Sequence, residues 1–264
     1  MQSTATGFVT DINVPFDRST AVASELEFEF IELFMEGRFA RTAIERDRET
    51  YRDLLEQNDL DLIVHLPFSL DIGSPFERVR DASVAELADC LQIASELGAT
   101  KAVVHPTAAV WDKAWDASEL RPLIVESISR LTETARECDI ELCAENIFGT
   151  AFTLAEIDAL LEATDVSMTL DTGHARITGY TGEELSSFVT EYADRISHVH
   201  LNDSRYPEDE HLPFGSGTVD FAALFDTLRQ CEWGGTLSLE VHTDNLEYIR
   251  ASKRNFDAVW QSVE

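Results

Sequence analysis

The chain alternates between short apolar runs and longer amphipathic segments from one end to the other. The apolar runs are rich in Val, Ile and Leu, which is typical of strands buried on both faces of a parallel sheet. The amphipathic segments carry apolar residues at helical spacing. Eight such strand-and-helix units follow one another without a Pro/Gly/Ser-rich linker. The pattern therefore predicts an α/β fold, a single (β/α)₈ barrel domain that spans residues 1–264.

Local signals set the expected bounds of several helices. The residues 41–58 have apolar positions at helical spacing throughout and are expected to form one helix. Gly98 follows the amphipathic segment 81–97, and glycine at that position commonly ends a helix in the left-handed conformation. The first unit has the weakest helical signal, because its segment 17–23 is short.

Six of the predicted strands end in a side chain that can bind a metal ion. In chain order these are His65, His105, Glu145, Asp171, His200 and Glu240. The carboxyl ends of barrel strands meet at one mouth, so we expect the six side chains to converge there. Three further potential ligands follow closely along the chain: His174, Asp209 and His211.

Imidazole and carboxylate groups suit Zn²⁺, Mn²⁺, Co²⁺ or Mg²⁺. We expect one to three divalent ions per chain. Because nine potential ligands exceed what one ion needs, we favour at least two ions within that range. Each residue alone has a simpler interpretation; Asp171, for example, could cap a helix. His198 and His242 each lie two positions from a predicted ligand, and we expect both to face the helix layer in structural roles.

The net charge of −30 bears on the possible partners, with only three lysines against 50 acidic residues. A solvated acidic surface is typical of adaptation to high salt, where screening weakens self-repulsion. The predicted loops at the mouth are mostly acidic, and their basic residues are Arg38, Arg41, Arg176 and Arg205. Nucleic acid is therefore the less favoured partner, although high salt also screens that repulsion.

No stretch is long and apolar enough to cross a membrane, and residues 1–13 lack a basic start and an apolar signal core. We therefore predict a cytoplasmic protein without a membrane partner. The cysteines are scattered and form no CxxC pair, which predicts reduced thiols at Cys90, Cys138, Cys143 and Cys231. Nothing in the sequence predicts an oligomeric state.

Several motifs resemble the xylose isomerase-like TIM barrel superfamily, which contains sugar phosphate isomerases and epimerases and also endonuclease IV. The resemblance runs from residues 65–75 to 238–242 and includes HLPF, VVHP, AENIFG, LDTGHA, HVHLND and DEHLPFGSG. Phe68 matches an aromatic residue that endonuclease IV has beside its first His. The segment 209–221 resembles the sugar phosphate isomerase branch. Ketose 3-epimerases carry a second Glu where this chain has Ala151.

The resemblance implies two alternative metal sites. In isomerases and epimerases of this group four ligands hold one divalent ion, and the matching residues here are Glu145, Asp171, His200 and Glu240. In endonuclease IV nine residues hold three zinc ions, and all nine matching positions are occupied here by the predicted ligands. Arg38 and Arg41 resemble its DNA-contacting loop more loosely.

We predict a divalent-metal-dependent isomerase or epimerase that acts on a sugar or sugar phosphate through an enediolate, with the ion as Lewis acid. Glu145 and Glu240 are expected to transfer protons on opposite faces of the substrate, and His174 is a further proton-transfer candidate. The turn 215–218 offers a possible phosphate site, although a plain loop is slightly favoured.

The alternative is an apurinic-site phosphodiesterase with a multinuclear zinc centre, like endonuclease IV. A non-catalytic metal-binding barrel ranks last, because potential ligands cover the expected site so completely.

Overall fold

The structure is a computed structural model that describes residues 4–149 and 151–263. Eight parallel strands form one sheet in the order β1-β8-β7-β6-β5-β4-β3-β2. The strands are β1 Ala5–Phe8, β2 Phe30–Phe34, β3 Asp61–His65, β4 Ala99–Val104, β5 Glu141–Glu145, β6 Ser167–Asp171, β7 Ile196–Leu201 and β8 Thr236–Leu239.

The sheet curls until its two edge strands, β1 and β2, meet just beyond the end of β1. Val9 and Glu32 form a parallel bridge, and the Thr10 amide donates to the Glu32 carbonyl at 2.9 Å. The Phe34 amide donates to Thr10 Oγ1 at 3.0 Å. These contacts make a nearly closed (β/α)₈ barrel and confirm the predicted fold class.

Helices surround the barrel on its outer side. They are α1 Phe16–Glu25, α2 Arg41–Arg46, α3 Arg48–Asn58, α4 Glu77–Glu96, α5 Ala117–Glu137, α6 Ile157–Ala163, α7 Thr172–Ile177, α8 Glu183–Tyr192, α9 Phe221–Gln230 and α10 Leu246–Ser262. Gly98 has φ 84° directly after the Leu97 cap of α4, which confirms its predicted role as the residue that ends this helix.

Two helical segments differ from the sequence prediction. The stretch 41–58 is two helices, because Asp47 leaves the helical conformation at φ −106° and ψ 19°. α1 has ten residues, and its apolar signal is weak because two of its buried positions are Ser19 and Thr20. The short helix α7 is capped by Asp171, whose side chain accepts a hydrogen bond from the His174 amide, so the helix-cap interpretation of Asp171 is confirmed.

The hydrophobic core is a layer between the sheet and the helices. Alternate strand residues such as Ile31, Leu62 and Leu142 point outward into this layer and are fully or almost fully buried. The residues between them point into the barrel, where polar groups dominate near the carboxyl ends of the strands. The strands therefore anchor the fold with one face and carry the polar cluster on the other.

All four cysteines are free, as predicted. Burial raises the pKa of Cys90 and of Cys143 to about 12, so these two thiols stay protonated and unreactive at neutral pH. Among the described residues no helix combines the length and apolarity that a membrane span requires. Adaptation to high salt and a cytoplasmic location stay predictions.

Candidate metal centre at the mouth of the barrel

The nine predicted ligands lie together at the carboxyl ends of the strands. Six of them end a strand or lie next to its end: His65 on β3, His105 after β4, Glu145 on β5, Asp171 on β6, His200 on β7 and Glu240 after β8. The other three are His174 in α7 and Asp209 and His211 in the loop after β7. The most exposed of the nine, Asp209, has only 19% of its side-chain surface accessible, so the cluster is well shielded from water.

Glu145 is the centre of this cluster. Its Oε2 atom lies 3.1 Å from His105 Nε2, 3.5 Å from His200 Nδ1 and 3.7 Å from His65 Nε2. Its Oε1 atom lies 3.2 Å from His174 Nδ1. Four imidazoles from different elements thus surround one carboxylate, and the convergence inferred from the strand ends is present.

A second set of contacts closes the cluster on the β8 side. Asp209 lies between two rings, with Oδ2 3.3 Å from His174 Nε2 and Oδ1 3.2 Å from His211 Nδ1. His211 Nε2 lies 3.5 Å from Glu240 Oε2, which is itself 3.4 Å from His200 Nδ1. The loop after β7 therefore belongs to the same site as the strand ends.

Four buried atoms of the cluster have no hydrogen-bond partner: Glu145 Oε2, Asp171 Oδ2, His200 Nδ1 and Glu240 Oε2. A buried polar atom without a partner costs about 1–3 kcal/mol, so such atoms rarely remain unpaired. A divalent cation would satisfy all four, because carboxylate oxygens and imidazole nitrogens are its ordinary ligands. The residues present therefore fit a metal ion, and they are the four that the family resemblance implies for a single-ion site.

Donor atoms for further ions lie on both sides of these four. His65, His105 and Glu145 offer atoms within 4.8 Å of one another, and so do Asp171, His174 and His211. The cluster thus offers enough donor atoms for more than one ion. The number and identity of the ions stay predictions.

Burial and proximity shift the pKa values of the cluster in opposite directions. Burial alone would raise the pKa of Glu145, but the charges of His105 and His200 outweigh it and hold that pKa well below its usual range. Burial raises the pKa of Glu240 well above its usual range; His200 opposes this, while Asp171 and Glu145 reinforce it. In the metal-free cluster Glu145 therefore favours its charged form and Glu240 its protonated form.

His200 also retains a proton in the metal-free chain. Burial alone would lower its pKa, but the charges of Glu32, Glu240 and Glu145 raise it well above its usual value. Because a metal ligand must be deprotonated, an ion entering here has to displace protons.

Two histidines are held by backbone carbonyls behind the cluster. His65 Nδ1 lies 3.0 Å from the Leu66 carbonyl oxygen, and His174 Nδ1 lies 2.9 Å from the Asn146 carbonyl oxygen. A carbonyl only accepts, so each Nδ1 carries the proton and donates. Nε2 of each ring is thereby directed toward the cluster as the free donor atom for a cation.

Two asparagines that are not among the predicted site residues support the cluster. Asn146 Oδ1 accepts from the Asp171 amide at 2.9 Å, and its Nδ2 donates to the Asp171 carbonyl at 3.1 Å. Asn202 Nδ2 donates to Asp209 Oδ1 at 3.1 Å and lies 3.2 Å from His211 Nδ1. Both follow a predicted ligand within two residues, and this adjacency was the available signal.

The expectation that His198 and His242 face the helix layer was wrong. Side chains two positions apart in a strand lie on the same face, so His198 points into the barrel with His200. His198 is fully buried, and its Nε2 lies 3.1 Å from Glu32 Oε2. His242 is exposed and stacks on His211 at a centroid distance of 3.7 Å.

The glycine-rich turn 215–218 holds a carboxylate of the protein itself. The amides of Gly217 and Val219 donate to Asp203 Oδ2 and Oδ1 at 2.7 and 3.2 Å. A Cβ atom on residue 217 would lie 2.3 Å from Asp203 Oδ1, which explains the glycine. The turn has a structural role, as the plain-loop interpretation predicts, and these amides are not free for a phosphate.

Arg41, one of the two arginines compared with a DNA-contacting loop, binds the protein itself. Its Nε and Nη2 donate to Glu86 Oε1 and Oε2 at 2.7 and 3.0 Å. Arg38 is exposed. Arg205 donates through Nε to Glu210 Oε2 at 2.9 Å. Two of the basic side chains near the mouth are thus already paired with carboxylates.

Comparison with known proteins identifies the family. A model of the xylose isomerase-like TIM barrel family matches residues 20–259. This range covers most of the chain, so the protein belongs to that family.

Three curated relatives illustrate the range of similarity. An uncharacterized protein of Methanocaldococcus jannaschii is 29% identical over 198 residues, which is 71% of this chain and 67% of that protein. An inosose dehydratase of Halalkalibacterium halodurans is 27% identical over 246 residues, 80% of this chain and 79% of the relative. For the inosose dehydratase of Lacticaseibacillus casei, the match spans about half of each protein, 51% of this chain and 53% of the relative.

Two solved structures have the same fold over nearly the whole chain. One is described as a D-tagatose 3-epimerase-like protein; it is 24% identical, has a TM-score of 0.85 and covers 98% of both chains. The other is described as the IolI protein with a bound zinc atom; it is 13% identical, has a TM-score of 0.84 and covers 98% of this chain and 99% of that chain.

Zinc added to the metal-free protein is expected to raise the midpoint of thermal unfolding, because the ion binds the folded cluster and not the unfolded chain. At an ion concentration 100 times the Kd, binding adds about 2.7 kcal/mol. That gain corresponds to about 5–10 °C for a chain of this size. The shift should shrink as the pH falls, because the raised pKa values of His200 and Glu240 retain protons that the ion must displace.

Circular dichroism melts with and without zinc provide the measurement. Asp171→Asn should lose the gain while keeping its helix cap, since the amide oxygen still accepts from the His174 amide. Glu141→Gln is the matched control, because Glu141 begins β5 at the opposite end of the barrel. If none of Zn²⁺, Mn²⁺ and Co²⁺ shifts the midpoint of thermal unfolding of the wild type, the metal centre would be contradicted.

Proposed function

We propose that the protein is a divalent-metal-dependent sugar isomerase or epimerase that removes a proton from the carbon next to a keto or aldehyde group. One observation carries this proposal: unpaired, buried donor atoms of Glu145, Asp171, His200 and Glu240 face the same cluster. A bound ion supplies Lewis acidity for adjacent substrate oxygens. Membership of the xylose isomerase-like family supports the assignment.

The chain's own carboxylates and imidazoles provide for proton transfer. Glu145 lies at the end of β5 and Glu240 directly after β8, so the two reach the site from non-adjacent strands and can flank a substrate carbon. His174 is a third group, held through Nδ1 by the Asn146 carbonyl and facing Asp209 through Nε2. In this assignment one glutamate removes the proton from the substrate carbon, and the other donates a proton to the opposite face of the same carbon. In an isomerisation, His174 would move a separate proton between the two substrate oxygens.

The surroundings of the cluster favour an unphosphorylated sugar. In the turn 215–218 the Gly217 amide donates to Asp203, and the amides of Ser216 and Thr218 donate to the carbonyls of Pro213 and Ser204, so these three are not free for a phosphate. Arg41 and Arg205 are bound to Glu86 and Glu210. Exposed aromatic rings lie beside the cluster and can pack on the C–H face of a sugar.

Two phenylalanines supply these apolar faces. The Phe68 ring stacks against His105 at a centroid distance of 5.5 Å, and the Phe148 ring lies 5.3 Å from His174. Both rings remain partly open to solvent, 51% and 42% exposed. A polyol seated on the cluster would therefore meet one ring on the β3 side and another on the β5 side.

Dehydration of a keto-polyol is a related outcome of the same first step. Removing the proton beside the carbonyl leads to epimerisation if a proton returns to the opposite face of the same carbon. It leads to dehydration if the hydroxyl on the next carbon leaves as water. The similarity to inosose dehydratases supports testing this outcome.

The chain lacks the second Glu that ketose 3-epimerases carry. The residue at that position is Ala151, whose carbonyl accepts a hydrogen bond from Arg121 Nε at 3.0 Å.

Phosphodiester cleavage at apurinic sites is the second candidate function. The gathering of His65, His105, His174, Asp209 and His211 beside the four unpaired ligands favours it, because these donors suffice for additional ions. The acidic chain and the internal pairing of Arg41 and Arg205 favour the sugar substrate instead.

The discriminating experiment uses the metal-loaded protein in deuterated, high-salt buffer. The substrates are free ketoses, an inosose, the matching sugar phosphates and a duplex with an abasic site. We expect deuterium to appear at the carbon beside the carbonyl of a free sugar, with turnover of the free sugar exceeding that of its phosphate. Duplex cleavage without deuterium incorporation would contradict the proposal and establish the second candidate.

Glu145→Gln and Glu240→Gln are expected to lower kcat by about 10²–10⁴-fold, the usual contribution of a general acid or base. The barrel should remain folded, because each side chain points into the cluster and not into the hydrophobic layer. Steady-state kinetics and circular dichroism of each variant measure both effects. Glu141→Gln is again the control, and full turnover in both site variants would refute the assigned roles.

A further inference from the structure

A third glutamate lies beneath the metal cluster, inside the barrel. Glu32 is on β2, and its side chain is completely buried. It is absent from the set of nine predicted ligands, because the run FIELF predicts only a strand. A charged carboxylate deep in a barrel is costly unless it is paired, so its partners indicate its role.

Both carboxylate oxygens of Glu32 contact histidines of β7. Oε1 lies 3.0 Å from His200 Nε2, and Oε2 lies 3.1 Å from His198 Nε2. Going around the barrel, β2 and β7 are separated by β1 and β8, so these contacts cross the barrel interior. An ionised carboxylate only accepts hydrogen bonds, and both Nε2 atoms must therefore carry protons and donate.

The contact determines which nitrogen His200 presents to the cluster. With Nε2–H donating to Glu32, the lone pair of the neutral ring lies on Nδ1. That atom lies 3.5 Å from Glu145 Oε2 and 3.4 Å from Glu240 Oε2, and it has no hydrogen-bond partner. The ring orientation and the free donor atom both follow from one carboxylate on the far side of the barrel.

His198 holds the other end of the same carboxylate in place. Its Nδ1 lies 2.7 Å from Thr236 Oγ1, at the start of β8. The chain of contacts thus runs from β8 through His198 to Glu32 on β2 and back to His200 on β7. Glu32 has both oxygens engaged and no freedom to rotate away from the His200 ring.

We propose that Glu32 is a positioning residue. It fixes the orientation and tautomer of His200 and so selects Nδ1 as the metal ligand. This proposal rests on the metal centre of the proposed function. Glu32 touches neither substrate nor ion in this arrangement. It acts as the carboxylate partner behind a metal-binding imidazole, and partners of this kind orient the ring and raise its basicity.

The main test compares zinc affinity in Glu32→Gln and in the wild type. The amide keeps the shape of the carboxylate but offers one acceptor and one donor, so one of the two Nε2–H groups loses its acceptor. We expect zinc affinity to fall by about 10–100-fold, the usual effect of removing such a partner. Competition with a chromophoric chelator measures it, and Glu141→Gln should bind zinc as the wild type does.

The second measurement uses only the wild type, so it does not depend on whether a variant folds. In the zinc-loaded wild type with ¹⁵N-labelled histidine, the ring of His200 should show a protonated Nε2 and a zinc-shifted Nδ1. A His200 ring with zinc on Nε2 or a proton on Nδ1 would overturn the proposal. Unchanged zinc affinity in a folded Glu32→Gln would overturn it as well.

These measurements are independent of the reaction. Neither the affinity nor the spectrum involves a substrate, so absence of sugar turnover would reject the proposed activity and leave the role of Glu32 standing. A wild type that binds no zinc, manganese or cobalt would reject the metal centre and the role of Glu32 together.

Discussion

The structure of the site depends on holding several carboxylates and imidazoles together away from water. Glu145, Asp171 and Glu240 are all buried, and like charges this close repel strongly in a medium of low dielectric constant. Histidines between them offset the repulsion only in part. The raised pKa of Glu240 and the four unpaired donor atoms indicate what remains uncompensated. The nearly closed barrel can maintain this arrangement, since its outward-facing apolar side chains supply the stability that the inner face lacks.

Much of the fold was predictable from the sequence because it rests on periodicity. Buried parallel strands and amphipathic helices have distinct apolar patterns, and a run of eight units leaves few alternatives to a barrel. The convergence of His105, Asp171 and Glu240 followed from the strand ends alone, since all carboxyl ends of such a barrel meet at one mouth. Family membership is consistent with both inferences.

What was missed depends on contacts distant in sequence or on local geometry. The prediction for His198 failed because residues two apart in a strand share a face, so its neighbour His200 should have placed it inside the barrel. The role of Glu32 could not be inferred, because its partners lie 166 and 168 positions away. The helix break at Asp47 and the glycine turn around Asp203 depend on backbone geometry that composition does not reveal.

The most direct test of the central claim is a crystal structure of the zinc-loaded protein, with anomalous data collected on both sides of the zinc edge. We expect an anomalous peak bound by Glu145, Asp171, His200 Nδ1 and Glu240, with any further peaks beside His65 and His105 or His174 and His211. A strong zinc peak elsewhere, with these four side chains pointing apart or paired only with each other, would contradict it.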